Sequence, residues 1–154
     1  MKKVLCSMTL IAFLVMFGAV CVAQAATQEE AKAMAEKAAA YWKANGKEKA
    51  IAEFNNPSGQ FVKGDLYVVA HDFKGAVLAH GGNPKLAGVN LLEQKDPNSG
   101  KFFVKEQIEL AKTKGSGWVD YSWANPATKK VQPKTTWVKK IDGADYLVNC
   151  GVFK

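Results

Sequence analysis

The chain contains no arginine. All 21 of its cations are lysine, against 14 acidic residues, for a formal charge of +7. Any anion held by a side-chain cation must therefore meet a compact ammonium and not a bidentate guanidinium fork. The same lack argues against nucleic acid, where arginine does much of the base reading. The lysines are spread along the chain, as on a solvated surface. Histidine is scarce as well, with only His71 and His80, and cysteine is limited to Cys6, Cys21 and Cys150. There is no glycine-rich phosphate loop, no Cys-x-x-Cys-His haem site and no Gly-x-Ser-x-Gly elbow. No ligand set at metal-binding spacing appears either. These gaps remove every positive reason to expect an enzyme, a cofactor or a metal.

The first apolar run is distinct from the rest. Lys2 and Lys3 precede an uncharged stretch from Val4 to Val22, and Ala23-Gln24-Ala25 follows with small residues where a signal peptidase reads. This predicts a secretory signal over residues 1–25, cleaved after Ala25. The rival reading is an uncleaved anchor, since the run is about long enough to span a bilayer. A lipoprotein fits poorly because Val20 stands before Cys21, where a small residue is wanted. Cleavage would remove Lys2, Lys3, Cys6 and Cys21, lowering the charge to +5 and leaving Cys150 alone. Export without an intrachain disulfide suits a bacterial periplasm. No later stretch is apolar enough to cross a membrane.

Residues 26–154 read as one domain. Thr27 and Glu30 form a capping box. Met34, Ala35, Ala38, Tyr41 and Trp42 then recur at helical spacing up to a stop at Gly46. A second short helix is expected over Lys47–Phe54. "LYVVAH" (66–71) and "AVLAH" (76–80) read as a hairpin around the turn Asp72–Gly75. A glycine-rich loop covers 81–88, another turn covers Asp96–Gly100, and Lys101–Lys112 reads as helical. Three consecutive strands close the chain: Trp118–Trp123, Lys134–Ile141 and Tyr146–Phe153. Strands in runs, not alternating with helices, predict an α+β domain. Its antiparallel sheet would have about five strands, with a long N-terminal helix and short flanking helices.

Side chains alternate along a strand, so Val119, Tyr121 and Trp123 share one face and Lys134, Thr136 and Val138 share another. A simple hairpin through "ANPATKKVQP" would bring Lys134 near Tyr121 or Trp123. Rings around one cation suit a small carboxylate. The alternative is a core of aromatics with a snorkelling lysine. His71 and His80 fall near opposite ends of their hairpin, which does not favour a shared metal. Cys150, inside "YLVNCGVF", reads as a small buried hydrophobe.

The order of the motifs resembles the single Cache domain of bacterial extracytoplasmic sensors, second single-Cache type. The marks are Asp72-x-x-Gly75-x-Val77-Leu78-Ala79-His80, Asn83-Pro84-x-Leu86-x-Gly88-x-Asn90-Leu91-Leu92 and Asp96-Pro97-x-x-Gly100-Lys101-x-Phe103. They continue in Gly115-x-Gly117-Trp118-Val119-x-Tyr121-x-Trp123, in Pro133-Lys134 and in Cys150-Gly151-Val152-Phe153. The resemblance implies a PAS-like sheet with a pocket on one face for a small organic anion such as acetate, pyruvate or lactate. Carried over, the pocket residues are His80, Tyr121, Trp123, Lys134 and Tyr67, with no catalytic residue. Two local departures stand out: Trp137 where tyrosine is commonest, and Gly81-Gly82 where proline is usual. The family's receptors also continue into a transmembrane helix and a signalling domain, whereas this sequence stops at Lys154. The expectation is a periplasmic binding module read by a membrane-bound signalling or transport partner. The alternative is a scaffold for protein contacts whose pocket is vestigial.

Overall fold

The computed structural model describes residues 26–154; the predicted signal lies outside the described residues. Helix α1 runs over Gln28–Asn45 and α2 over Lys47–Phe54. The strands are β1 (Val62–Lys63), β2 (Leu66–Asp72), β3 (Val77–His80), β4 (Ser116–Ala124), β5 (Val131–Lys140) and β6 (Tyr146–Phe153). A 3-10 turn at Pro84–Leu86 and helix α3 (Phe103–Lys114) lie between β3 and β4. The capping box is formed in full: Thr27 accepts from the Glu30 amide, and Glu30 accepts from the Thr27 amide. Asp72 closes the β2–β3 turn by accepting from the Lys74 and Ala76 amides.

Six strands form one antiparallel sheet in the order β1-β2-β6-β5-β4, with β3 paired to β2 as well. The fold is α+β, as expected. The short β1 and the 3-10 turn are too brief to carry a periodic signal and were not foreseen. The last strand sits in the middle, between β2 and β5, so the sheet is complete only when the C-terminal segment docks.

Both faces of this sheet are covered. Ala31, Ala35, Ala38 and Trp42 form a buried stripe on α1 at helical spacing. They pack with Leu66, Val68, Ala70, Val148, Cys150 and Val152. The alternate residues of the same strands face the other way: Tyr67, Val69, Val119, Tyr121, Val138 and Leu147 pack with Phe103, Val104, Ile108 and Ala111 around α3. Double coverage explains why "LYVVAH" and "YLVNCGVF" show no apolar–polar alternation. Trp137 points to the α1 side, where its indole N–H donates to Glu36 at 3.0 Å and ties the helix to the sheet.

Gly151 on β6 is a packing requirement. A Cβ there would overlap the Thr136 hydroxyl oxygen and the Thr135 carbonyl, and would stand 2.8 Å from the Thr136 Cα. Relief would need two central strands to separate. Gly151→Ala is therefore expected to destabilise the domain by about 2–3 kcal/mol, read as a lower denaturant midpoint with an unchanged slope.

Candidate functional site

The face opposite α1 carries the polar residues. The registers place Tyr121 opposite Lys134, and Lys134 opposite Phe153, in one line across β4, β5 and β6. The simple hairpin foreseen from the sequence is the one formed, although its strands run further into the loop. The Lys134 side chain then extends toward β2, and its ammonium lies 3.9 Å from the centre of the Tyr67 ring and 4.6 Å from that of Phe153. Lys134 is only 2% exposed. Among the described residues no carboxylate comes within ion-pair distance of it; the five salt bridges all involve other lysines. Burial lowers the amine to about 7, against a weaker upward pull from Cys150 and Asp65.

Tyr67 is the hub of the site. Its ring stacks on His80 at 4.9 Å and 28°. Glycine backbone packs against it as well: a Cβ on Gly82 would stand 2.9 Å from the ring, and one on Gly81 would stand 3.2 Å from the Tyr67 Cβ. This accounts for Gly81-Gly82 where the resemblance leads one to expect proline. The Tyr67 hydroxyl is buried and has no hydrogen-bond partner among the described residues, and burial raises its pKa well above the usual phenol range. His80 accepts from the Asn83 amide through Nδ1 at 2.9 Å, so its proton sits on Nε2. Burial, reinforced by the Lys134 charge, holds His80 at about 3 and keeps it neutral.

Beside this group lies a small cavity of about 10 Å³, room for roughly one water molecule. Tyr67, His80, Tyr121 and Trp123 line it, which unites four of the five expected residues. Lys134 is not among the lining residues; its ammonium is held against Tyr67, which is. The Tyr121 phenol and Trp123 indole thus line the cavity while the ammonium lies against the Tyr67 ring, and the three do not meet at one open point. Two wider surface clefts flank the cavity. One, of about 310 Å³, shares Tyr67 with it; the other, of about 510 Å³, shares His80 and Trp123.

Several lining residues escaped the sequence reading. Phe103 stacks on Tyr121 at 4.4 Å and 1°. Asn149 donates to Gln107 at 3.1 Å within the cavity wall. His71 also lines the cavity, with its Nδ1 buried and without a partner, and burial lowers it to about 4. The signal for Asn149 was there: it is a polar residue inside an apolar strand. Outside the cavity lining, Asp96 closes its own turn by accepting from the Asn98, Ser99 and Ser122 amides and the Ser99 hydroxyl. Burial works against its ionisation, but these bonds outweigh it and hold the carboxyl at about 2. Among the described residues there is no cluster suited to a metal ion. The Cys150 thiol is buried 3.7 Å from the Met34 sulfur, and burial pushes it up to about 12.

A long helix across one face of an antiparallel sheet, and a small cavity on the other, are the architecture of a PAS-like domain. The chain belongs to the single Cache domain 2 family, which matches residues 7–154. Cache domains of this kind are extracytoplasmic, non-catalytic ligand-sensing modules. The chain resembles a methyl-accepting chemotaxis protein, McpP of Pseudomonas putida, at 27% identity over 89 residues, 58% of this chain and 16% of that one. It also resembles a sensor histidine kinase, MctS of Rhizobium johnstonii, at 30% identity over 58% of this chain and 19% of that one. It thus spans less than a fifth of either relative. Solved structures agree on the fold. A periplasmic sensor domain of a chemotaxis protein aligns with TM-score 0.63 and 25% identity over 81% of this chain and 88% of that one. A methyl-accepting chemotaxis protein from Vibrio parahaemolyticus aligns with TM-score 0.68 and 25% identity over 81% and 86%. A Cache chemosensory domain described for its carboxylic acid recognition aligns with TM-score 0.63 and 24% identity over 81% and 86%. Among the described residues no helix is long and apolar enough to cross a membrane.

Two outcomes follow from the buried polar groups. Tyr67→Phe removes a hydroxyl that has no partner, so stability should hold or rise by up to about 1 kcal/mol in denaturant unfolding. The histidines act on acid stability. Their folded values, about 4 for His71 and about 3 for His80, lie below the ordinary 6.5, so the unfolded chain binds protons first. Their contribution is complete above about pH 6.5 and is lost as pH falls toward those values. Between about pH 7 and pH 5 the unfolding free energy should drop by about 1–2 kcal/mol per histidine, and His71→Phe should remove its share of that slope.

Proposed function

We propose that this domain binds a small organic anion, a short monocarboxylate of the acetate, pyruvate or lactate type, and presents the occupied state to a partner protein. One observation carries the reading: a buried lysine has no acidic partner among the described residues and rests on the ring of a tyrosine whose buried hydroxyl has none there either. An unpaired buried cation is costly, and a bound carboxylate would supply both the missing charge and the missing acceptor. Lys134 provides the charge. Tyr67 through its hydroxyl and His80 through Nε2–H are the neutral donors, and Tyr121 and Trp123 are the walls. Carboxylic acid recognition by a Cache domain of the same fold supports the ligand class. The chemotaxis receptor and sensor kinase among the relatives support a signalling partner at a membrane. A periplasmic location, reached through the predicted N-terminal signal, fits the extracytoplasmic family.

A cavity with room for one water does not admit even acetate as it stands, so entry requires its walls to move. The small volume also favours a second reading, a scaffold for protein contacts with a closed, vestigial pocket. Calorimetry with acetate, pyruvate and lactate, on protein shown free of carried-over acid, separates the two: heat with at least one supports the sensor reading, and none with any supports the scaffold. In a binding protein, Lys134→Met should weaken affinity more than about tenfold, because a charge-assisted hydrogen bond contributes about 1.5–3 kcal/mol. Unchanged affinity would assign the charge to another residue.

A further inference from the structure

The surroundings of Lys134 bear on how the site responds to acidity. The rings of Tyr67 and Phe153 pack against it, and the titratable groups around them lie on every adjoining element, Cys150 on the far face of the sheet. Tyr67 and His71 lie on β2, His80 on β3, Tyr121 on β4, Phe153 and Cys150 on β6, and Asp65 in the turn before β2. Asp65 is the one carboxylate among these, and it does not approach within ion-pair distance. Asp120, also on β4, is paired with Lys154 at 3.2 Å. The two ring faces stabilise an ammonium in part, but they offer no hydrogen-bond acceptor to replace lost water. In the closed site the charged form of the amine is therefore poorly supported.

Resting on the anion-binding reading, we propose that the site captures its acid together with a proton. The carboxylate enters as the anion and the neutral Lys134 amine takes one proton from solvent. An N–H bond forms, and the resulting ammonium pairs with the carboxylate inside the fold. No other bond changes. Burial of the amine, which brings it to about 7, places this exchange near neutral pH. The site then responds to the sum of carboxylate and proton, and its affinity for a given carboxylate concentration strengthens as the medium acidifies.

The test is calorimetry with the tightest binder among acetate, pyruvate and lactate, from about pH 6 to pH 8, in pairs of buffers with different ionisation heats. Uptake should approach one proton near pH 8 and fall well below one near pH 6, while affinity weakens roughly tenfold over that range. Lys134→Arg retains a cation that does not deprotonate, so any binding it shows should be flat with pH. Binding to the native domain without proton uptake would overturn the proposal, as would an equal pH slope in Lys134→Arg. Stability gives an independent reading that needs no ligand. The folded amine titrates below its unfolded value, so the native domain should gain stability from about pH 7 to pH 10 relative to Lys134→Met. Parallel curves would count against the proposal. Lack of heat with all three acids would defeat the anion-binding reading itself, whereas heat without proton uptake would defeat this inference alone.

Discussion

The arrangement of the site depends on one contact, the Lys134 ammonium against the ring of Tyr67. A lysine buried this deeply is ordinarily paired with a carboxylate, because the loss of hydration must be offset by something. Here an aromatic face does part of that work, and part is left undone. The contact fixes the other positions in turn. With Tyr67 over the amine, His80 stacks on the same ring, and the loop at Gly81-Gly82 comes in so close that no Cβ fits on Gly82.

The sheet supplies the precision behind that contact. Lys134 reaches Tyr67 across a strand because β6 lies between β5 and β2, and because Gly151 lets β5 and β6 pack without a side chain between them. Helix α1 covers the opposite face with alanines and Trp42, while the buried histidines and amides lie on the cavity side. There the amides of Asn149 and Gln107 satisfy each other. The groups left without partners, the Tyr67 hydroxyl and His71 Nδ1, both belong to the cavity walls. Unpaired polar groups at one spot in an otherwise well-paired interior are a cost that a ligand can relieve.

Much of the fold was readable from pattern. The capping box, the alanine stripe of α1, the Asp72 turn and the three closing strands all follow from local rules whose causes lie within a few residues. Most element boundaries moved by only one to three residues. The strands β4 and β5 are longer than their apolar cores suggest because pairing continues into the polar loop. The site was less readable. Tyr121, Trp123 and Lys134 could be placed on their faces by alternation, but alternation does not say how far a lysine reaches. Phe103 and Gln107 sit on a helix distant in sequence from the strands they meet, and no local signal ties them to the cavity.

From residues alone came the family, the order of elements, the confinement of anion chemistry to lysine and the candidate rings, since each is set by identity and spacing along the chain. Three matters waited for the tertiary structure: that Lys134 is buried, that it faces Tyr67 and not an acid, and that the adjoining hollow holds about one water. Those are relations between strands far apart in sequence, and burial, which sets the energy of a charge, exists only once the sheet and its two covering layers are assembled.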